Sequence, residues 1–174
     1  LAYEIAVPAR YGESLFGILL EAGKEFKAVP YGIETLGVMR IEKGHAAGNE
    51  LNGQTTALNI GLERMVSSKK DFIGNVLSGR EEMTREDSLI LVGFRPVNDK
   101  DMLSAGSHFI AKGAASHVAN DEGWMTSVCY SPNLETSIGL GFIKSGGKRL
   151  GEQVRAVDLI NGKDILVEIV SPHF

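Results

Sequence analysis

The chain is poor in several things, and each scarcity narrows what it can be. It has one cysteine, Cys129, in 174 residues. No internal disulfide is possible, and the composition fits a reducing, cytoplasmic compartment. Its apolar stretches run to only about five to seven residues, far below the roughly 20 that span a bilayer as a helix, so a membrane partner is not expected. Residues 1–10 carry no apolar signal-peptide segment. Positive charge is not in excess: 18 Lys and Arg face 22 Asp and Glu, for a net charge of -4. No basic stripe is available to neutralise a phosphate backbone, so nucleic acid is not expected as a partner. Phosphate-binding glycine signatures are also missing. Gly139-Leu140-Gly141 has Lys144 where a third glycine would be needed, and reads as a strand with two close-packed positions. No nucleotide or flavin site is expected here. The four histidines, His45, His108, His117 and His173, lack metal-ligand spacing, so no metal is expected.

What is present is ordinary globular material, with 43% hydrophobic and 23% charged residues. That supports a packed core in one domain or two small ones. The chain opens at Leu1 without a methionine and ends at Pro172-His173-Phe174. Both ends have the look of cuts, and the chain is expected to be a piece of a longer protein.

The pattern changes along the chain. Residues 2–7 alternate and stop at Pro8, which predicts a strand. Leu15, Ile18, Leu19 and Ala22 predict an amphipathic helix over 11–25. A second helix is expected over 32–42, a glycine- and asparagine-rich loop over 44–54, and a short helix from Asp71, as N-cap, to Leu77. Charged residues over 80–87 read as a linker. Beyond them short alternating runs predict strands at 89–95, 107–111, 114–118, 124–130, 137–143, 153–159 and 164–170. Turn chemistry such as Asn161-Gly162 separates them. The fold class expected is α+β, with an α+β part over 1–80 and a small antiparallel β-barrel or sandwich over 88–174.

Some side chains stand out. Glu4 sits in a strand-like run, where an acid is disfavoured unless it faces water or a hydrogen-bonding partner. Such a carboxylate suits a flat pair of donors, such as the amino-pyrimidine edge of a pterin. Arg40, Glu42 and Lys43 gather at one helix end, where surface ion pairing and helix-dipole compensation are the plain alternative. Cys129 lies in an apolar run and reads as an inert core thiol.

Several stretches together are familiar. Leu1-Ala-Tyr-Glu-Ile-Ala-Val-Pro8, Tyr31-Gly-Ile-Glu-Thr-Leu-Gly-Val-Met-Arg-Ile-Glu-Lys-Gly44, Lys70-Asp71-Phe72-Ile73-Gly74, Gly123-Trp124-Met125-Thr126-Ser127 and Ile138-Gly139-Leu140-Gly141-Phe142-Ile143 occur in one order. In that order they resemble the glycine-cleavage T-protein family of aminomethyltransferase-like, folate-binding proteins. Within it, Leu-Ala-Tyr-Glu, Tyr-Gly-Ile-Glu-Thr-Leu and Met-Arg-Ile-Glu-Lys-Gly-His resemble the alpha-subunit branch of heterotetrameric sarcosine oxidases.

The resemblance implies a module that captures the one-carbon unit of sarcosine on tetrahydrofolate, inside an enzyme with beta, gamma and delta subunits. It implies that flavin and NAD bind elsewhere in that enzyme. It places Glu4 at the family's pterin-binding glutamate, with Tyr3 beside it, and Arg64 near the position of a folate-proximal aromatic. It gives Arg40 and Glu42 a mainly structural, pocket-supporting role. Ile33 stands where the family has a folate-contacting arginine, which argues against a plain transferase. The family's catalytic aspartate lies upstream, so no catalytic residue is expected in this chain, and the piece alone is expected to be inactive. A glycine-cleavage aminomethyltransferase and a dimethylglycine-oxidase-type folate domain are alternatives. So is a non-catalytic regulatory paralogue, although Lys43-Gly44-His45 lacks the cysteine expected of iron–sulfur assembly factors.

Overall fold

In the computed structural model, which describes residues 2–174, the chain divides into two compact units, 1–36 and 37–174. In the first, residues 2–8 form no regular element, and the alternating run at 2–7 is not a strand. Alternation favours an extended backbone, but a strand also needs a neighbour to pair with, and among the described residues this run has none. A 3-10 turn at Ala9–Tyr11 leads into helix α1, Gly12–Gly23. A second 3-10 turn follows, and Lys27, left-handed at φ 56°, ends it. No described residue of this unit is buried. Phe16, Ile18 and Leu19 on α1 are exposed.

Helix α2, Ile33–Glu42, runs across the division. The 44–54 loop holds one 3-10 turn, Gly48–Glu50. Farther on, the helix expected from Asp71 is only α3, Asn75–Ser78. Asp71 does not cap it. Its carboxylate accepts from the Phe72 N–H and the Asn75 side chain, and Gly74 at φ 94° turns the chain just before the helix. A turn of helix, α4 (Glu81–Thr84), lies within the charged 80–87 stretch.

The rest is a closed antiparallel barrel. Its strands are β1 (Leu89–Pro96), β2 (His108–Ala111), β3 (Asp121–Ser131), β4 (Thr136–Lys144), β5 (Gln153–Asp158) and β6 (Lys163–Val170). They pair in the order β1-β4-β3-β2-β5-β6, and β1 meets β6 to close the ring. Six of the seven expected runs are strands. The run at 114–118 is a turn followed by a 3-10 segment at Val118–Asn120, because the His117 ring accepts the Ala119 N–H and caps the turn instead.

Alternation fills the interior. Val92, Phe94, Phe109, Met125, Val154, Val167 and Ile169 point inward, and the Phe94 and Phe109 rings stack at 4.0 Å. Each such side chain contributes about 1.5–3 kcal/mol by leaving water. A second apolar layer lies outside β4. Ile138, Leu140 and Phe142 pack with Leu91 and with Ile41 of α2. With both faces covered, β4 has no room at its glycines. A Cβ on Gly139 would sit 2.8 Å from Met125 Sδ, and one on Gly141 would sit 2.7 Å from the Trp124 carbonyl.

Candidate functional site

The last turn of α2 brings two charged side chains to the outside of the barrel. Arg40 donates through Nη1 to Glu50 Oε2 at 2.9 Å and through Nη2 to Ser127 Oγ at 2.6 Å. Glu50 is fully buried. Its Oε1 accepts from the Thr126 and Ser127 hydroxyls, and Oε2 also accepts the Ala47 N–H at 3.0 Å. This last bond is the carboxylate half of a capping box, which starts the 3-10 turn and aims Glu50 at the barrel.

Two consecutive strand residues can face one carboxylate because β3 bulges between Met125 and Ser127. An extra residue in one strand breaks the in–out alternation, so Thr126 and Ser127 both reach the loop. Burial pushes the Glu50 carboxyl up. The hydrogen bonds from Ser127, Thr126 and Ala47 and the Arg40 charge outweigh it, and the group sits below the ordinary carboxylate range.

Glu42, two residues farther on, makes a parallel tie. Its carboxylate accepts from Ser131 Oγ at 2.6 Å and from the Asn133 amide at 3.0 Å. Its carbonyl accepts the Phe174 N–H at 3.0 Å, while Lys43 O lies 2.7 Å from His173 Nδ1. The chain end is thus stitched to the end of α2. Gly44 permits this, since a Cβ there would lie 2.3 Å from the Pro172 carbonyl.

The other expected site residues lie elsewhere. Tyr3 and Glu4 belong to the 1–36 unit, and both are exposed. Among the described residues Glu4 makes no side-chain hydrogen bond. Arg64 belongs to the 37–174 unit, in a 3-10 turn at Glu63–Met65, and is also exposed. Arg40 and Glu42 come together against β3. Glu50, their buried neighbour, is not among the residues expected from the sequence. Among the described residues no cluster of three His, Cys, Asp or Glu could hold a metal ion, and no helix is long and apolar enough to cross a membrane. Cys129 is partly buried, and its thiol is pushed up to about 11 by burial first and by the Glu42 charge second. That is the behaviour of an unreactive thiol.

The comparisons agree with this architecture. Residues 1–70 match the GCVT N-terminal domain, and residues 90–174 match the glycine cleavage T-protein C-terminal barrel domain. The sarcosine oxidase subunit alpha of Rhizobium meliloti (strain 1021) is 45% identical over the whole chain, and that of Corynebacterium sp. (strain P-1) is 40% identical over 96% of it. In both cases the chain spans 18% of the relative's length. An aminomethyltransferase from Thermoanaerobacter pseudethanolicus (strain ATCC 33223 / 39E) is more distant, at 32% over 99% of the chain and 45% of its own length. The crystal structure of the aminomethyltransferase T of the glycine cleavage system from Bartonella henselae superposes with a TM-score of 0.71. It covers 97% of this chain and 45% of that one at 20% identity, which speaks for the fold alone. A six-stranded barrel preceded by helices, both family models in sequence along one chain, and relatives that match nearly the whole of this chain place this protein in the glycine-cleavage T-protein family.

Proposed function

We propose that the chain is a part of the alpha subunit of a sarcosine oxidase, a cytoplasmic enzyme whose T-protein-like module captures the one-carbon unit of sarcosine on tetrahydrofolate. One observation carries this reading. Identity to sarcosine oxidase alpha subunits is 45%, 40% and 39% over nearly all of the chain, against 32% for an aminomethyltransferase. The module divides into a folate-binding part over 1–80 and a closing barrel over 88–174. Flavin and NAD belong to other parts of the intact enzyme, and the beta, gamma and delta subunits complete it.

The chemistry of the exposed residues fits a folate. The exposed carboxylate of Glu4, which follows Tyr3 in the chain, can accept a pair of hydrogen bonds from an amino-pyrimidine edge. Bound folate supplies a nucleophilic nitrogen for the oxidised carbon. Glu4 and Tyr3 orient the ring, and orientation alone supplies a large effective concentration. Arg40 and Glu42, tied to β3, support the pocket by fixing α2 on the barrel. The catalytic proton transfer falls to a carboxylate outside this chain.

The test uses the intact enzyme. Glu4→Ala is expected to weaken tetrahydrofolate binding about 10- to 150-fold, the equivalent of losing a charge-assisted pair of hydrogen bonds, while sarcosine oxidation continues. Glu4→Gln is expected to be milder. Equal folate affinity in all three proteins would remove Glu4 from the site, and absence of sarcosine oxidation in the wild type would overturn the reading as a whole.

A further inference from the structure

Two asparagines are followed by glycine: Asn52-Gly53 in the loop after α2, and Asn161-Gly162 at the tip of the β5–β6 hairpin. Asparagine is a chemically labile residue. The backbone nitrogen of the next residue can attack its side-chain carbonyl carbon, and glycine has no Cβ to crowd the approach. A C–N bond closes a five-membered imide and the bond to the amide nitrogen breaks. That nitrogen leaves as ammonia, taking the proton of the attacking N–H. Water then opens the ring at either carbonyl and gives aspartate or isoaspartate. No oxidant or cofactor is needed.

The two sites hold their reacting groups differently. At Asn161, Nδ2 donates to Asp158 Oδ2 at 2.6 Å and the N–H donates to Asp158 Oδ1 at 3.1 Å. Loss of the amide would forfeit a charge-assisted bond and set a second carboxylate against Asp158. The leaving nitrogen is therefore retained.

At Asn52 the same groups are arranged for reaction. Oδ1 accepts the Gln54 N–H at 2.8 Å, which folds the side chain over the Gly53 peptide unit between them. A donor at that oxygen stabilises the negative charge it takes on as nitrogen adds to the carbon. Nδ2 makes only a 3.4 Å contact with the Asn49 carbonyl, at the weak end for a hydrogen bond. Among the described residues the Gly53 N–H donates to no acceptor. Residues 52–54 are exposed, so water is at hand. Glycine at 53 meets no steric need, since its φ is not positive and an added Cβ would have nothing within 4 Å.

The products differ in consequence. Thr55 Oγ1 donates to the Asn52 carbonyl at 3.0 Å and to the Glu50 carbonyl at 3.1 Å, and accepts the Asn52 N–H at 3.2 Å. Aspartate keeps this turn, because its Oδ1 still accepts from Gln54. Isoaspartate routes the main chain through the side-chain carbons and moves the carbonyl that Thr55 holds out of the main chain. Glu50, whose carboxylate fixes the loop to Thr126 and Ser127, lies two residues away.

We propose that Asn52 is a site of spontaneous deamidation and isomerisation that reacts ahead of Asn161, and that isoaspartate there loosens the attachment of the 44–54 loop to β3 through Glu50. The inference does not depend on the folate reading.

The experiment ages the full-length protein at mildly alkaline pH. Peptides are mapped by mass spectrometry, and isoaspartate is marked with protein isoaspartyl methyltransferase. Position 52 is expected to convert about 10-fold faster than position 161, where the charge-assisted bond must be lost. Gly53→Ala should slow position 52 about 10-fold, as its methyl group crowds the attacking nitrogen, and leave position 161 unchanged. Hydrogen–deuterium exchange over 44–54 should quicken in aged wild type. It should stay at the fresh rate in aged Gly53→Ala and in fresh Asn52→Asp, which adds the charge without rerouting the chain. Conversion at 52 no faster than at 161, or unslowed in Gly53→Ala, overturns the proposal. So does unchanged exchange in protein that carries isoaspartate at position 52, or exchange in fresh Asn52→Asp as quick as in the aged protein.

Discussion

Arg40 and Glu50 meet at 2.9 Å, with the carboxylate wholly buried and the guanidinium also bonded to Ser127 of β3. A loop rich in glycine and asparagine is thereby pinned to a barrel far away in sequence. Burying a carboxylate is costly, and the cost is offset only while every acceptor site is filled. Four donors do so here: Arg40, Thr126, Ser127 and the Ala47 N–H.

Removing the carboxylate should expose how much that arrangement holds. Glu50→Ala strands Arg40 and two buried hydroxyls without their acceptor, and is expected to cost about 3 kcal/mol of unfolding free energy. The figure sits at the low end for breaking a buried pair because the Arg40 side chain is 24% exposed. Glu50→Gln keeps one acceptor but turns an amide donor toward other donors, and should cost about 2 kcal/mol. Urea denaturation of the three proteins measures both. A loss below about 0.5 kcal/mol in Glu50→Ala would mean that water replaces the carboxylate.

The same group predicts an acid limb of stability. Its folded pKa lies below the ordinary value of 4.5. The folded state therefore prefers the ionised form, and its stabilisation is complete above the unfolded value. As pH falls below 4.5 the unfolded chain takes up the proton first, and stability drops until the folded carboxyl also protonates. Midpoints of urea unfolding measured from pH 6 downward should fall more steeply in wild type than in Glu50→Gln. Parallel curves would assign the acid sensitivity to other carboxylates.

Barrel strands are largely legible in the amino-acid sequence, since one buried face imposes alternation and turns punctuate it. The 114–118 run misleads because an alternating row of small residues has little apolar area to bury, so the His117 cap decides its shape. Residues 2–7 mislead for a different reason: pairing is not a property of one segment. Glu50 is illegible because its partners lie 76 and 77 residues away. One signal is available. Thr126 and Ser127 are consecutive hydroxyls in the mostly apolar run 124–130, the mark of a bulge facing something polar. Arg40 and Glu42 stand out by resemblance, whereas by periodicity alone they read as surface ions. Their contacts with Ser127, Ser131 and Asn133 come from tertiary packing.

Two glycines separate steric need from conformational need. Gly123 has φ 150°, and a Cβ there would lie 2.0 Å from the Phe142 carbonyl on the paired strand. Neither backbone can move without opening the β3–β4 pairing. Gly123→Ala should cost about 3 kcal/mol or more, combining strain with overpacking. Gly113 also has a positive φ, 87°, but open space around it. Gly113→Ala should cost only about 1 kcal/mol, the penalty for the backbone conformation alone. Equal losses in the two variants would show that contact with the Phe142 carbonyl is not what excludes a side chain.

Cys129 tests the electrostatics beside Glu42. Its thiol is pushed from 9.0 up to about 11, by burial first and by the Glu42 carboxylate second, with Arg40 pulling weakly the other way. Thiolate is the reactive form, so near pH 8 only about one molecule in a thousand is competent to attack. Alkylation by iodoacetamide should therefore be slow in the folded protein, rise until about pH 11, and become fast at neutral pH once urea unfolds the chain. Glu42→Gln removes the nearby negative charge, and should lower the inflection while leaving it above the ordinary thiol value, because burial remains. An inflection near 9 in the wild type would mean that water reaches Sγ freely. An unshifted inflection in Glu42→Gln would leave burial as the whole cause, and would reduce Glu42 to its bonds with Ser131 and Asn133.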